Sequence, residues 1–442
     1  MSRPPTVNAI LARSPRPSGR RRNASIRWED ETLSPRSSSG TSPLVPSPAI
    51  GPFLRPWLQQ APLDLLAGIL PDWDPTLFLI ACLAPAPRAQ EAWCAWRARQ
   101  GPAEGMGGTH RSLRSLSALL ACSLLEAGTS LDRHDAAWLR AALLHEQRRT
   151  GRYQEIAAAV LASLSAAGLP FMLARGAAVA EGVLPKPWLR HCHDLDLLVP
   201  ESQLDRAAEV LVQAGLREEA TADAGRAFLH RRLLPVRLHP SPLPSPFHGP
   251  SLEDLQVRAR QATILGTSLL VPSADDLLLH VCCHAACRGG RTSLRWVSDA
   301  HAIVVRSPEI DWSRLQNTAA VHGLTTQLAV TLGYLAHDIG TPVPSSVLDA
   351  LAADASRADG LERELLIHAA RFSEGGRFGT LWQAVGNRSR ISLARWLLVP
   401  DGEYLMRLET SPSPSRSHMY LRHWQKRLAA APPALARLAS EA

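Results

Sequence analysis

The chain has 442 residues, of which 45% are hydrophobic and 20% are charged, a composition typical of a globular protein with two or three domains. No apolar stretch approaches the roughly 20 residues that cross a bilayer, and no apolar segment follows the first arginines, which argues against a membrane or secreted protein. The seven cysteines form no C-x-x-C pair, which is typical of a reduced, cytoplasmic setting.

The formal charge of +8 is concentrated near the N-terminus, since residues 1–60 contain nine Arg and only three acidic residues. Residues 1–56 are rich in Ser, Pro, Gly and Arg and show no helical or strand periodicity. Such a segment buries too little apolar surface to fold, so we predict a disordered basic leader. Charge alone is weak evidence for nucleic-acid binding, and a basic-tailed nucleic-acid binder is the least favoured interpretation of this chain.

Residues 57–167 and 273–410 are predicted to be helical because apolar residues recur three and four positions apart. Ser273 precedes an apolar run and Asp276 follows three residues later, which is typical of a capped helix start. Residues 411–442 are predicted to form a Ser/Pro linker and a basic helix. The predicted helices are Leu63–Leu70, Pro75–Leu83, Ala89–Arg99, Leu113–Ala127, Arg133–Leu169, Trp312–Val321, Thr326–Asp338, Ser345–Leu351, Leu361–Phe372 and roughly Met419–Ala430.

Between residues 168 and 272 the pattern changes to that of an α/β core, in which short apolar runs bounded by Gly or Pro alternate with helical segments. The predicted elements are the strand Phe171–Leu173, the helix Ala177–Leu184, the strand Asp194–Val199, the helix Glu201–Ala214 with Gly215 as its C-terminal cap, and a further strand region over Leu229–His239 broken at Pro235. The predicted fold class is therefore α/β (α+β), with a small mixed-sheet core and large N- and C-terminal helical regions.

Asp194 and Asp196 are the most distinctive local feature. Alternate residues of a strand share a face, so the two carboxylates should point the same way. Two carboxylates at this spacing are typical of a Mg²⁺ site, in which water and substrate phosphates complete the coordination. Taken alone, a D-x-D pattern more often marks a surface strand with two solvated aspartates.

The residues around this strand favour a phosphate-binding site. An apolar strand runs into Gly176 and then a helix, where a glycine lets the backbone approach a phosphate and the helix N-terminus offers free N–H groups. Arg175 and Arg190 bracket the acidic strand and are predicted to offset the charge of a triphosphate. The order strand, glycine, helix and D-x-D strand is that of nucleotidyltransferases of the polymerase-β type.

The stretch Leu173–Pro200, LARGAAVAEGVLPKPWLRHCHDLDLLVP, resembles the bacterial uncharacterised nucleotidyltransferase family. That family has a strand, Lys-Gly-Ala, a helix, an Arg four residues before the first aspartate, and then Asp-Ile-Asp-Leu-Leu-Val. The likeness extends over roughly residues 60–430. Downstream it is carried by Leu233–Pro240, Ser273–Gly290, Leu294–Val304 and Ile310–Leu315.

The resemblance implies that Asp194 and Asp196 are the catalytic and metal-binding residues, with Mg²⁺ or Mn²⁺ as cofactor, and that Arg175, Gly176 and Arg190 bind phosphate. The implied reaction transfers a nucleoside monophosphate from an NTP to an unknown acceptor, which is a small molecule, a peptide or a protein. Members of the family are often encoded beside peptide-modification and exopolysaccharide genes, which implies a role in bacterial natural-product biosynthesis. Neither nucleic acid nor membrane is an expected partner.

Two positions depart from the family pattern. Arg175 replaces the family's Lys, which keeps the charge but changes the donor geometry. Arg237 stands where the family has a third carboxylate, which helps to hold the metal that activates the attacking hydroxyl. A guanidinium neither binds Mg²⁺ nor accepts a proton, so transfer is predicted to be weak or lost. We expect Arg237 to project toward Asp194 and Asp196 and to pair with them.

His193, Arg237 and His239 are the site-lining candidates, since His193 adjoins the D-x-D pair and His239 falls where the family has His. The rival interpretation is a non-catalytic nucleotide- or partner-binding accessory protein of a biosynthetic gene cluster. Arg237 favours this rival, whereas the intact aspartate pair favours the enzyme.

One helical segment suggests a second metal site. His280, Cys283, His284 and Cys287 are spaced so that they lie on neighbouring faces of a helix, where they would chelate Zn²⁺. The usual spacing of structural zinc sites is absent, and a buried Cys usually packs as a small hydrophobe. We therefore expect this helix to contribute to the core.

Overall fold

The computed structural model describes residues 55–58, 63–100, 111–220, 225–232, 234–244, 246–287, 294–357, 362, 365–366, 400, 402–408 and 417–425. Almost all of the leader predicted for residues 1–56 lies outside these ranges. The Ser/Pro linker and most of the helix predicted over Leu361–Phe372 also lie outside them. Every statement below concerns the described residues.

The chain before the sheet is helical, and its longest helix starts at a side-chain cap, since the carboxylate of Asp132 accepts a hydrogen bond from the Asp135 N–H at 2.8 Å. The predicted helix at Leu63–Leu70 forms instead as a 3-10 helix over Leu63–Ile69, after a 3-10 turn at Pro56–Leu58. The α-helices are α1 (Trp73–Leu83), α2 (Ala86–Arg99), α3 (Arg111–Arg114), α4 (Ser117–Glu126) and α5 (Arg133–Ala166).

The described residues form a mixed sheet of seven strands, which confirms the predicted fold class. Its spatial order is β3-β4-β5-β2-β1-β7-β6, in which the pairs β2/β5 and β1/β7 are parallel and the other neighbours are antiparallel. The strands are β1 (Met172–Leu173), β2 (Leu195–Leu198), β3 (Arg217–Glu219), β4 (Arg226–Leu229), β5 (Pro235–His239), β6 (Arg260–Ile264) and β7 (Thr267–Val271). The helices between them are α6 (Arg175–Gly182), α7 (Leu204–Gln213) and α8 (Leu252–Arg258).

Strand β2 divides its side chains between the two faces of the sheet. Leu195, Leu197 and Val199 lie in the main hydrophobic core, whereas Leu198 belongs to a second, smaller cluster. Because side chains alternate along a strand, Asp196 shares the face of Leu198. Apolar burial on both faces therefore fixes the strand that carries the acidic residues.

The hairpin formed by β6 and β7 was not predicted from the sequence. Its two-residue turn, Leu265-Gly266, has φ angles of 52° and 81°, as a type I′ turn requires. The predicted strand region Leu229–His239 is in fact the end of β4, a turn, and β5. Pro235 is the first residue of β5, a position in which proline does not interrupt a ladder.

The chain after the sheet is again helical, and the predicted cap at its start is present. The Ser273 hydroxyl donates to Asp276 Oδ2 at 2.8 Å, and its oxygen lies 3.4 Å from the Asp276 N–H donor. The helices are α9 (Ala274–Cys287), α10 (Arg295–Arg306), α11 (Trp312–His322), α12 (Thr325–Tyr334) with a π-helical turn at Leu335–Ile339, α13 (Ser345–Ala355) and α14 (Gly402–Leu408). None of the described helices has both the length and the apolar character that a bilayer crossing requires.

The helices before and after the sheet pack against each other. The hydroxyls of Thr76 and Tyr334 lie 2.9 Å apart in the core, and Arg88 donates to the backbone carbonyl of Asp338 at 3.1 Å. Arg55 pairs with the Asp338 carboxylate at 2.8 Å. The two helical regions therefore share one hydrophobic core, which supports the sheet.

Candidate functional site at the D-x-D strand

The site lies where β2 runs beside β5. Asp196 stands directly opposite Arg237 in the parallel register, and Leu198 stands opposite His239. The side chains of Asp196, Arg237 and His239 meet on one face of these two strands. All three were predicted from the sequence to belong to the site, and the register of the two strands brings them together.

Asp196 is buried and surrounded by cationic or hydrogen-bonding groups. His239 Nε2 lies 2.7 Å from its Oδ1, and the nearest guanidinium nitrogens of Arg175 and Arg237 lie 3.3 and 4.0 Å from the same oxygen. Burial alone would raise the pKa of Asp196. The His239 hydrogen bond and the two arginine charges outweigh burial and hold this pKa well below its usual range, so the carboxylate is ionised at neutral pH.

Asp194 is half-buried and forms an ion pair with Arg237 through Oδ2. His193 Nε2 lies 3.5 Å from the same oxygen. The predicted contact between Arg237 and the acidic pair is thus confirmed. The other oxygens, Asp194 Oδ1 and Asp196 Oδ2, accept no hydrogen bond from the described residues, so one oxygen of each carboxylate remains for a cation.

Arg175 adopts an unusual backbone conformation. Its φ of 51° is left-handed, although Arg175 is the first residue of α6 and carries a side chain. For a residue other than glycine such a conformation costs about 1–3 kcal/mol, and it commonly occurs at functional sites. From this position the guanidinium reaches Asp196.

Arg190, in the segment between α6 and β2, forms an ion pair with Asp299 of α10. Its Nη2 and Nε donate to the Asp299 carboxylate at 3.0 and 3.2 Å, and its Nη1 donates to the His191 carbonyl at 3.2 Å. Burial alone would lower the pKa of Arg190, but the Asp299 charge outweighs burial and raises it. Asp299 was not among the site residues predicted from the sequence.

Gly176 is in close contact with the same guanidinium. A Cβ built on Gly176 would lie 2.0 Å from Arg190 Nη1, far inside van der Waals contact. The absence of a side chain at Gly176 therefore lets a buried arginine pack against the start of α6. Gly176 thus has a packing role in addition to the predicted role of letting the backbone approach a phosphate.

We expect Gly176→Ala to destabilise the protein by about 1–3 kcal/mol, because the added methyl group overpacks against a guanidinium that Asp299 holds in place. Gly182→Ala at the other end of α6 is the matched control, since its Cβ would meet Arg260 Nη2 at an ordinary 3.4 Å. The measurement is the free energy of unfolding in urea, with circular dichroism as the signal. Equal stability of the two variants would contradict this packing role.

The loop before β2 is held by charged residues that the sequence analysis did not identify. His191 Nδ1 lies 2.9 Å from Glu146 Oε2, and Glu146 also accepts from Arg149 Nε at 2.9 Å. Arg295 Nη1 donates to His193 Nδ1 at 2.9 Å. Burial, followed by the charges of Arg295 and other neighbours, outweighs Asp194 and lowers the pKa of His193 to about 4, so this imidazole is neutral at pH 7.

Within the described part of the chain, a single group of three potential ligands brings its donor atoms within 4.8 Å of one another, namely Asp132, His134 and Asp135. This group caps the N-terminus of α5, and Asp135 also pairs with Arg97 at 2.8 Å. The side chains of His280, Cys283, His284 and Cys287 form no such group. All but His284 are buried, as expected for a core helix.

A family model described as uncharacterised nucleotidyltransferase matches residues 113–339, just over half of the 442-residue chain. The matched segment contains all seven strands of the sheet, both aspartates, and both members of the Arg190–Asp299 pair. No curated protein and no solved structure matches the chain significantly. The chain therefore belongs to the uncharacterised nucleotidyltransferase family, as the resemblance of Leu173–Pro200 predicted.

Proposed function

We propose that the protein binds an NTP and one divalent cation at Asp194 and Asp196 and transfers the nucleoside monophosphate slowly to an acceptor hydroxyl. The observation that carries this proposal is the ion pair of Arg237 with Asp194, directly beside Asp196. It leaves two carboxylates for a cation where a complete site of the family has three. The proposed site is therefore competent to bind NTP and poorly equipped to turn it over.

The remaining carboxylate oxygens, Asp194 Oδ1 and Asp196 Oδ2, are the groups that would hold Mg²⁺ or Mn²⁺, because hard cations prefer oxygen ligands. When bound, the cation offsets the negative charge of the phosphates. Asp196 is suited to this role because its low pKa keeps it ionised. Its other oxygen is fixed by His239, which orients the carboxylate.

Arg175 is proposed to contact the triphosphate, since its guanidinium reaches the acidic pair from the start of α6. We assign Arg190 to the phosphate site through its position, as the residue that packs against Gly176 and fixes the N-terminus of this helix. His193 is neutral and stands at the border of the site, within 3.5 Å of Asp194.

Arg237 limits the proposed reaction. A guanidinium supplies charge beside Asp194 but has no lone pair for a metal or for the proton of the attacking hydroxyl. Losing the group that positions and activates the nucleophile costs several kcal/mol in the transition state, or roughly a thousandfold in rate.

The same ion pair supports the second candidate function, a nucleotide-binding accessory protein without catalysis. In such a protein the charge of Arg237 would replace part of the charge of a metal ion. It would reduce the repulsion between Asp194 and Asp196 without supporting catalysis. The two functions differ in one observable, since the enzyme releases pyrophosphate from NTP and the accessory protein only binds NTP.

We expect one of the four common NTPs to bind the full-length protein with Mg²⁺ and to lose at least tenfold in affinity, about 1.4 kcal/mol, when EDTA replaces the metal. Replacing both Asp194 and Asp196 by Asn should have the same effect in calorimetry, because both negatively charged ligands of the cation are lost. Asp205→Asn is the control, since this carboxylate is exposed on α7. Circular dichroism checks that each variant is folded. Failure of every NTP to bind, or equal affinity in a folded double variant, would rule out the proposed site.

A further inference from the structure

A cavity of about 1020 Å³ lies beside the D-x-D strand. Its walls are α3 and the start of α4, the first half of α5, the loop before β2, and the first residue of α10. His193 belongs to this wall and lies 3.5 Å from Asp194, so the cavity borders the acidic pair. Its volume is sufficient for a ligand of the size of a substituted sugar ring.

Arg295 lines the cavity as a cation without a carboxylate partner among the described residues. Its Nη1 donates to His193 Nδ1 and, at 3.3 Å, to the His191 carbonyl, whereas its buried Nε has no hydrogen-bond partner in the part of the chain that the structure describes. The nearby Asp299 is engaged by Arg190. Asp299 and Asp194 act on Arg295 through their charges, but neither is paired with it directly. A half-buried cation without a directly paired carboxylate is unfavourable, and a bound anion would relieve this.

The rest of the cavity wall adds to this positive charge. Arg114 is exposed and forms no ion pair with a described residue. The acidic residue of the wall, Glu146, is already bound by Arg149 and by His191. Among the described residues that line the cavity, cationic side chains are therefore available and the one carboxylate, Glu146, is already paired.

One side of the cavity is apolar. Trp138 is half-buried and faces the cavity together with Ala141 and Ala142, one turn further along α5. An indole beside small side chains offers a flat surface for a ring, and such surfaces next to a few charged groups are typical of small-molecule sites.

We propose that this cavity is the acceptor subsite and takes an anionic ring compound with a free hydroxyl, of the class of sugar phosphates. Its phosphate pairs with Arg295 and Arg114, and its ring packs on Trp138. The assignment rests on the proposed function. In the transfer, the acceptor oxygen forms a bond to the α-phosphorus of the NTP, the bond from that phosphorus to the oxygen bridging to the β-phosphate breaks, pyrophosphate leaves, and the hydroxyl proton passes to water.

Calorimetry with the full-length protein, in the absence of NTP, tests the subsite with glucose 6-phosphate, inorganic phosphate and glucose as probes. We expect glucose 6-phosphate to bind most tightly, and Arg295→Gln and Arg114→Gln each to weaken it about tenfold or more. Trp138→Ala should weaken glucose 6-phosphate while leaving inorganic phosphate unchanged. Arg140→Gln is the control, because Arg140 is an exposed arginine of α5 outside the cavity wall.

Three outcomes would overturn the assignment. The first is that neither glucose 6-phosphate nor inorganic phosphate binds, and the second is that glucose binds as tightly as glucose 6-phosphate. The third is that Arg295→Gln weakens the binding of Mg²⁺-NTP as much as it weakens the binding of glucose 6-phosphate. The last would mean that the cavity holds the triphosphate. Since Arg114 is exposed, its variant keeps the test valid if Arg295→Gln fails to fold. If the protein binds glucose 6-phosphate but no NTP, the proposed function is contradicted, whereas the assignment of an anion-binding site to the cavity is still supported.

Discussion

Arg237→Asp is expected to raise the rate of pyrophosphate release by about a hundredfold or more, because it restores a third carboxylate. The new carboxylate would stand opposite Asp196 in the parallel register of β2 and β5. It would also remove the guanidinium that now occupies Asp194 Oδ2. The measurement is pyrophosphate release from each NTP with Mg²⁺, with and without glucose 6-phosphate.

Arg237→Gln separates two effects of that substitution. It frees Asp194 from its ion pair but supplies only a neutral amide oxygen, which has neither the charge of a carboxylate nor the basicity to accept the proton of the attacking hydroxyl. The rate of pyrophosphate release should therefore stay close to that of the wild-type protein. Without metal, Arg237→Asp should be less stable than the wild type, because three neighbouring carboxylates repel one another. High wild-type turnover that falls in Arg237→Asp would contradict the proposal and make Arg237 a contributor to catalysis. No turnover in either protein, together with NTP binding, would favour the accessory function.

The D-x-D strand could be predicted because its signals are local. Leu195 and Leu197 alternate with the aspartates, and Pro200 ends the strand. The contact of Arg237 with Asp194 could be predicted only because the family resemblance placed the strand of Arg237 beside the D-x-D strand.

The two edge strands, β3 and β6, have no comparable local signal in the sequence. All three residues of Arg217–Glu219 are exposed, and Arg260–Ile264 buries only its last residue, so neither shows the apolar alternation of a half-buried strand.

The residues that hold Arg190 and His191 in place could not be predicted, for a different reason. Asp299 lies 109 residues after Arg190, and Glu146 lies 45 residues before His191. Neither pair has a sequence spacing that a helix or strand turns into a contact, so only the packing of α5 and α10 against the loop brings them together. Arg190 itself was found by its position before the aspartates. Its buried partner required the tertiary structure.

The Arg190–Asp299 pair carries the largest expected effect on stability. The Arg190 side chain is 10% exposed and that of Asp299 is 5% exposed, so solvent screens them little. Removing one partner of a buried ion pair leaves the other charge uncompensated, which costs about 3–5 kcal/mol. We therefore expect Asp299→Asn to lower the free energy of unfolding by roughly this amount, as measured by urea unfolding.

Two controls show whether the loss of stability in Asp299→Asn comes from the uncompensated charge of Arg190. Glu219→Gln breaks the exposed pair with Arg217, whose side chains are 44% and 74% exposed, and should change stability by no more than about 1 kcal/mol. Combining Arg190→Met with Asp299→Leu removes both charges and should recover much of the stability, since apolar replacements of buried pairs are often tolerated. A loss in Asp299→Asn no larger than that of Glu219→Gln would refute the role of the pair. NTP affinity should also fall in Asp299→Asn, because Arg190 would no longer be held against Gly176 at the start of α6.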